Sequence, residues 1–184
     1  MNVKNQIISI FGAAVLAVTA VSGVAAQNET ADVNVRVSAP ANASISATIT
    51  GGRFSDVAYR TGNSEQNATG SIVITATDTR GVGSGWTVSL SGNGPFTTGD
   101  SSFALDKFGL PAGSVQGKDK ANGKGITAQA LGSVSTTPQT VMVAQRKSGM
   151  GVFDDTINGT IKVPDGTLVG DYKTTLTVAI TASN

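Results

Sequence analysis

The chain has 184 residues, its 13 Lys and Arg nearly balance its 12 Asp and Glu, and it contains no His and no Cys. The missing His and Cys remove the commonest general base, the commonest metal ligand, the thiol nucleophile and any disulfide framework. The balanced charge gives no electrostatic basis for binding nucleic acid. Gly, Ser, Thr, Ala and Val dominate while aromatic residues make up 5%, so the composition favours short strands and tight turns over helices.

The first 26 residues have the pattern of a signal peptide. Lys4 supplies a charged start, Ile7–Val21 an apolar core, and Val24-Ala25-Ala26 a small-residue cleavage site. We expect cleavage before Gln27, which makes the protein secreted and extracellular. An uncleaved membrane anchor is the alternative, although the apolar run is shorter than the roughly 20 residues that a spanning helix needs.

Residues 27–184 alternate between apolar and polar side chains with a period of two, which predicts strands with one buried face. The predicted strands are Val33–Val37, Ile45–Ile49, Phe54–Tyr59, Ile72–Ala76, Trp86–Leu90, Ile126–Ala130, Thr140–Ala144, Thr156–Val163 and Tyr172–Thr181. Turn-rich clusters of Gly, Pro, Asn and Asp separate them. The sequence therefore predicts an all-β fold: a single antiparallel β-sandwich-like domain of about nine strands over residues 27–184.

The stretch Gly92–Lys124 is less regular and rich in turn residues. Its large apolar residues are Phe96, Phe103, Leu105, Phe108 and Leu110. We expect them to pin a long excursion onto a sheet edge, and long loops of this kind often carry binding function.

Lysines bunch in and near this excursion, with acids between them. The lysines are Lys107, Lys118, Lys120 and Lys124, and the interleaved acids are Asp106 and Asp119. We interpret the cluster as a solvated loop, with a phosphate-binding patch as the alternative.

Acidic residues in turns give a weak case for catalysis or for metal binding. A hydrolase of the glycosidase type would need paired carboxylates, for which the candidates are Asp154, Asp155, Asp165 and Asp171. Calcium would draw on Asp119, Asn122, Asp154 and Asp155, but no segment reproduces the spacing of a calcium loop. Because Asp commonly caps turns, we predict no catalytic residue, no metal, no cofactor and no small-molecule substrate.

Two segments share a pattern of glycine turns that lead into apolar strands. The first, Thr77–Leu90, reads TDTRGVGSGWTVSL and carries the only tryptophan. The second, Ser148–Ile180, contains a GMG turn, a strand that ends in Val163-Pro164 and a last strand from Tyr172. Flexible turns of this kind can deliver a large anchor residue into a pleated sheet.

These segments resemble the WxL family of bacterial surface domains over most of Ile45–Ile180. That family combines a first Trp-x-Leu motif with a distal motif of the form Y-x-x-x-L-T-W-x-L. The matching positions are Trp86 and Val88 in the first motif, and Tyr172, Leu176, Thr177, Val178 and Ile180 in the second. Val88 and Ile180 replace leucines conservatively, whereas Val178 stands where the second tryptophan is expected.

The resemblance implies a non-enzymatic cell-surface protein that attaches without a covalent bond to peptidoglycan or meets other surface proteins. The motif residues that it makes candidates for surface binding are Trp86, Val88, Tyr172, Leu176, Val178 and Ile180. Flat aromatic faces commonly grip glycopeptide surfaces, and Val178 removes one such face. We therefore expect this chain to bind walls weakly or through a partner.

Trp86 itself has two interpretations. A lone tryptophan at the start of an alternating strand is typical of a core residue, whereas an exposed indole would be a ligand platform. We favour the core interpretation and predict that Trp86 packs beneath the last strand near Tyr172.

An alternative function is self-association into an extracellular filament. The alternating segment Val33–Val37 follows the signal peptide and could pair with the open sheet edge of a neighbouring copy. The competing interpretation is that Val33–Val37 forms the first strand of its own sandwich, which avoids the entropy cost of association.

The signal peptide gives a first testable prediction. Intact-mass spectrometry of the secreted protein should show a chain that begins at or near Gln27. A secreted product that still carries Met1–Val21 would identify the segment as an anchor instead.

Overall fold

The computed structural model describes residues 35, 41–60, 62, 64–119 and 121–183. From position 41 onward these residues belong to one compact unit, Val37–Asn184. In chain order its strands are β1 (Ile45–Phe54), β2 (Gln66–Asp78), β3 (Trp86–Gly92), β4 (Phe96–Thr98), β5 (Ser101–Phe103), β6 (Phe108–Gly109), β7 (Ser114–Gly117), β8 (Ile126–Ala128), β9 (Gln139–Ala144), β10 (Gly151–Val163) and β11 (Leu176–Ala182). No helix in this described part is long and apolar enough to cross a membrane.

The strands form two antiparallel sheets that pack as a sandwich. The first sheet has the order β1-β2-β10, and the short strands β6 and β7 both pair with the outer side of β10. The second sheet has the order β11-β3-β9-β8. A separate hairpin of β4 and β5 leads into a 3-10 turn, Leu105–Lys107.

The core lies between the two sheets and follows the predicted alternation. From the first sheet, β2 contributes Ile72, Ile74 and Ala76, all fully buried. From the second sheet, β3 contributes the buried side chains of Trp86 and Val88. Each large apolar side chain that leaves water in this way stabilises the fold by about 1.5 to 3 kcal/mol. The all-β sandwich predicted from the sequence is confirmed.

One predicted strand, Phe54–Tyr59, is wrong. Phe54 ends β1 after a β-bulge that shifts the register between Gly51 and Phe54, and the chain then runs on without strand pairing. The segment is held instead by local bonds: the Ser55 amide donates to the Thr69 carbonyl at 2.8 Å. Likewise, β11 begins four residues after Tyr172, which precedes the strand. The prediction for Val33–Val37 lies outside the described residues, except for position 35.

The Gly92–Lys124 excursion is pinned onto a sheet edge, as predicted, and its strands raise the number in the described residues to eleven. Phe108 belongs to β6, pairs with Ile161 of β10 and is buried. Leu110 is also buried and forms a bridge with Leu131. Strands of two to four residues are too short to show a period in the sequence, so they escaped prediction.

Candidate functional site

The two motif segments become neighbouring strands in the second sheet. Along the pairing of β3 with β11, Ala182 lies opposite Trp86, and Ile180 lies opposite Val88. At the far end Leu176 lies opposite Gly92. The fold therefore joins residues that are about 90 positions apart in the sequence into one ladder.

Trp86 is fully buried and makes a specific polar contact within the core. Its ring lies 6.2 Å from that of Phe153 across the sandwich, with an interplanar angle of 46°. Its indole N–H donates to the Gly149 carbonyl at 2.8 Å. Burying the indole without that acceptor would leave its donor unsatisfied, at a cost of about 1 to 3 kcal/mol.

Gly149 explains the GMG turn of the second segment. Its φ is +78°, a left-handed conformation that favours glycine. A Cβ at this position would also lie 2.5 Å from the indole nitrogen of Trp86 and 2.5 Å from the Cβ of Ala144. A side chain at Gly149 would therefore push the turn away from the tryptophan.

An ion pair holds the turn before Trp86. The Arg80 guanidinium contacts the buried Asp78 carboxylate at 2.8 Å and donates to the Gly85 carbonyl at 3.2 Å. Burial raises the pKa of Asp78, but the hydrogen bonds from Arg80 outweigh it and hold that pKa below its usual value. The DTRG sequence thus fixes the backbone of the turn that leads into Trp86.

Tyr172, the other aromatic residue of the motifs, lies at the opposite end of the ladder. Trp86 pairs at the Ala182 end of β11, whereas Tyr172 precedes Leu176 at the other end. Because strands rise about 3.3 Å per residue, the six steps from Trp86 to Gly92 separate these ends by roughly 20 Å. The prediction that Trp86 packs near Tyr172 is wrong, although the prediction that Trp86 is a core residue is confirmed.

The remaining distal motif residues line the inner face of β11. Leu176, Val178 and Ile180 are half-buried and pack against the core, while the residues between them are exposed. Val178 lies opposite Leu90 in the ladder. The side chain at 178 therefore lies on the inner face of β11, whereas the sequence suggested an exposed aromatic position.

Trp86 and Val88 have no exposed surface. Neither side chain can contact a wall polymer directly in this conformation. Of the motif residues, Tyr172 and Leu176 do line an open surface feature.

That feature is a groove of about 940 Å³ at the Tyr172 end of the sandwich, which we call the aromatic groove. One wall is formed by residues 49–60 and the other by residues 163–176. The large apolar and aromatic residues along it are Phe54, Phe96, Phe103, Phe108, Ile161, Val163, Tyr172 and Leu176. Its volume falls in the range of about 300 to 1,000 Å³ that is typical of ligand sites.

Ring contacts make these aromatic residues one cluster. Phe96 stacks on Phe103 at 4.9 Å, and Phe103 lies 5.1 Å from Tyr172. Phe108 meets Phe54 edge-on at 5.2 Å. The Tyr172 hydroxyl is fixed as well, since it contacts the Ser101 hydroxyl at 2.8 Å and donates to the Leu168 carbonyl at 3.0 Å. Phe96 and Phe108 are buried, so the half-buried Phe54, Phe103 and Tyr172 supply the aromatic surface of the groove.

Polar and exposed groups surround this apolar floor. Tyr59 is 57% exposed and Arg60 is exposed beside it. The Gly62 amide donates to the Asp165 carboxylate at 3.3 Å, which connects the two walls. An apolar floor with a polar rim can hold a ligand that has both apolar faces and hydroxyl groups.

Sequence reasoning missed Tyr59 and Arg60 as site residues because it placed Tyr59 on a strand. The signal was present: Arg53 to Arg60 places two arginines and a tyrosine beside Gly51-Gly52, which is turn chemistry.

Two of the four candidate carboxylates, Asp154 and Asp155, lie on β10 and not in a turn as predicted, and they do not face each other. Asp154 and Asp155 are adjacent on β10, so their side chains point to opposite faces of the sheet. Asp154 faces outward, accepts from the Thr75 hydroxyl at 2.7 Å and pairs with Lys118 at 2.7 Å. Among the described residues, no group of three or more acidic side chains could hold a metal ion.

Asp155 points into the core and is fully buried. Neither of its carboxylate oxygens has a hydrogen-bond partner in the described part of the chain. One oxygen lies against Gly113, where a Cβ would collide with it. Burial raises the pKa of Asp155 to about 6, because the charged form loses its hydration without gaining a partner.

The fold defines a two-sheet, all-β domain with an open groove of about 940 Å³ at one end. A family model described as "WxL domain surface cell wall-binding" matches residues 36–182, and the chain therefore belongs to the WxL family. Membership implies a cell-surface location and cell-wall binding, in a family that binds rather than catalyses. A comparison with curated proteins found no match.

Replacement of Trp86 tests its role in the core. Trp86→Ala should lower the free energy of unfolding by about 3 to 5 kcal/mol, because it removes a large buried side chain and leaves a cavity. Trp86→Phe should cost about 1 to 3 kcal/mol, because the Gly149 carbonyl loses its donor. Urea denaturation measures both, with Thr181→Ala on the exposed face of β11 as the control. An unchanged unfolding free energy in Trp86→Ala would contradict the core role.

Asp155 predicts an unusual pH dependence. Its folded pKa of about 6 lies above the value of about 3.9 in an unfolded chain, so its contribution to stability is complete below pH 4 and is lost as pH rises through 6. The loss amounts to about 2 to 3 kcal/mol at pH 7. Asp155→Asn should therefore raise the melting temperature at pH 7 more than at pH 4.

Asp154→Asn is the matched control with the opposite sign. Lys118 holds the pKa of Asp154 below its usual value, so this carboxylate contributes stability above pH 4 that is lost in acid. The control should lower the melting temperature at pH 7 and have little effect in acid. If the melting temperatures of the wild type and of Asp155→Asn depend on pH in the same way, the buried Asp155 carboxyl is not the cause of that dependence.

Proposed function

We propose that this protein associates with the cell envelope without a covalent bond, and that the aromatic groove is where it contacts the glycan strands of peptidoglycan. The observation that carries the proposal is the ring cluster around Tyr172, the distal-motif tyrosine, along a groove of about 940 Å³. The family description supplies the target, the cell wall. Other surface proteins are a second class of partner for the same groove.

The chemistry of a sugar ring matches this groove. Pyranose rings have faces of C–H groups that pack on aromatic surface, and rims of hydroxyl and amide groups that need hydrogen-bond partners. Tyr172 and its neighbours supply apolar surface, while Tyr59 and Arg60 supply exposed donors on one wall. On the other wall Thr175 supplies an exposed hydroxyl, whereas the Thr174 hydroxyl already donates to the Gly94 carbonyl at 2.9 Å.

In this proposal the first motif acts indirectly. Trp86 stabilises the ladder of β3 and β11, and that ladder places Leu176 and the segment before it along the groove. The weaker wall binding expected from Val178 would then arise from looser packing of β11 and not from a missing contact.

We further propose that the chain is non-enzymatic. Of the four carboxylates considered for a glycosidase, Asp155 points into the core, and Asp154 lies on the outer face of β10 and is engaged by Lys118. A general acid and its partner must both reach one glycosidic bond from either side, with their carboxyl groups about 5 to 10 Å apart.

A filament built by strand donation is the second candidate, and one observation favours it. Within the described residues, β1 pairs only with β2, and β11 pairs only with β3. Each of these strands therefore has a free edge that could accept a strand from another copy. Val33–Val37 is the donor proposed from its alternating sequence.

Sedimentation with purified peptidoglycan tests the groove. The double variant Tyr59→Ala/Arg60→Ala should bind about tenfold more weakly, because it removes an exposed ring and a charged donor from one wall. Both residues are exposed, so the melting temperature should stay unchanged. Soluble glycan fragments should compete with the walls for the wild-type protein.

Val82→Ser is the matched control, since Val82 is an exposed apolar residue in the turn before Trp86, far from the groove. Equal binding by the wild type and the double variant would refute the groove as the contact surface. Electron microscopy of the same samples separates the candidates, because filaments without wall binding would favour strand donation.

A further inference from the structure

A second concave surface lies at the Trp86 end of the sandwich. It has a volume of about 430 Å³ and is lined by Asn122, Lys124, Gly125, Gln145, Lys147, Ser148, Gly149 and Met150. We call it the lysine cleft. It shares no lining residue with the aromatic groove.

The described lysines of the predicted cluster lie in different environments in the structure. Lys107 pairs with Glu65, and Lys118 pairs with Asp154. Lys124 instead lines the lysine cleft with Lys147, a residue that the sequence cluster did not include. Among the described residues, neither of these two lysines forms an ion pair with a carboxylate, and no acidic side chain lines the cleft.

The turn that carries Lys147 is held in an uncommon conformation. Its φ is +66°, in the left-handed region that residues other than glycine seldom occupy. The Lys147 amide donates to the Gly83 carbonyl at 2.6 Å, and the Ser148 amide donates to the Gln145 carbonyl at 3.0 Å. Strained backbone of this kind persists where surrounding contacts fix it, and it is commonest at binding sites.

The cleft also lies next to Trp86, the tryptophan of the first motif. Gly149 lines the cleft and accepts the indole N–H of Trp86 from below. The two motif segments therefore build one rigid wall of the cleft. Met150, the exposed residue of the GMG turn, also lines the cleft.

We propose that the lysine cleft is a binding site for a phosphate group of an anionic polymer at the cell surface. Two unpaired ammonium groups in a concavity without acids attract an anion. Lysine binds phosphate as a point charge, whereas a planar carboxylate is best held by the two-pronged guanidinium of arginine, and no arginine lines the cleft. The Ser148 hydroxyl and the amides of Asn122 and Gln145 add hydrogen-bond partners.

Binding of inorganic polyphosphate to the full exported chain tests the proposal. Isothermal titration calorimetry at low salt should detect binding, and the double variant Lys124→Gln/Lys147→Asn should weaken it about tenfold. Asparagine is chosen at 147 because it tolerates the left-handed conformation. NMR shifts on titration should centre on the amides of Gly125, Ser148 and Gly149.

The matched control is Lys107→Gln/Lys162→Gln, which removes the same charge outside the cleft, at the half-buried Lys107 and the exposed Lys162. This control should change polyphosphate affinity by less than twofold. Equal losses in both double variants, or no binding by the wild type, would overturn the proposal. Tighter binding of a polycarboxylate of matched charge would also overturn it and would point to the carboxylates of wall peptides. Both double variants should retain peptidoglycan binding at the groove, so the two proposals fail independently.

Discussion

The hydrogen bond from the Trp86 indole to the Gly149 carbonyl is the contact on which the arrangement of the motifs depends. It joins residues 63 positions apart and satisfies the one polar atom of the largest side chain in the core. The glycine permits the approach, and the Asp78–Arg80 pair fixes the turn on the other side. A buried indole that also needs an acceptor selects one position for the turn, which an aliphatic side chain could not do.

The motif residues therefore divide between two ends of one ladder. At the Trp86 end the motif shapes a turn, while at the Tyr172 end it contributes an aromatic ring to an open groove. The intervening apolar residues of β11 face the core, so this strand connects the two ends. Of the two aromatic residues in the pattern, Trp86 thus packs in the core and Tyr172 lines an open groove.

The sandwich was predictable because its central strands are long and alternate cleanly. Ile72, Ile74 and Ala76 show the period of two without interruption, and all three are buried.

The groove was not predictable, since it is built from residues such as Tyr59 and Tyr172 that lie in unpaired segments, where no period constrains the backbone. The lysines illustrate the same limit. Proximity in sequence suggested one cluster, whereas in the fold Lys124 lines one cleft together with Lys147. Asp155 was expected in a turn before the strand Thr156–Val163, whereas β10 begins at Gly151 and carries Asp155 into the core.

The pairing of the edge strands has a mechanical consequence. β1 begins at Ile45, opposite Asp78, and β11 ends at Ala182, opposite Trp86, so both strands enter or leave at the end away from the aromatic groove. If a ligand holds the groove and the chain is pulled at Ile45 or at Ala182, the force acts along β1 or along β11. The rungs of each ladder are then loaded together in shear and not opened one after another. Shear of this kind breaks many hydrogen bonds at once, so it needs more force than opening them in turn.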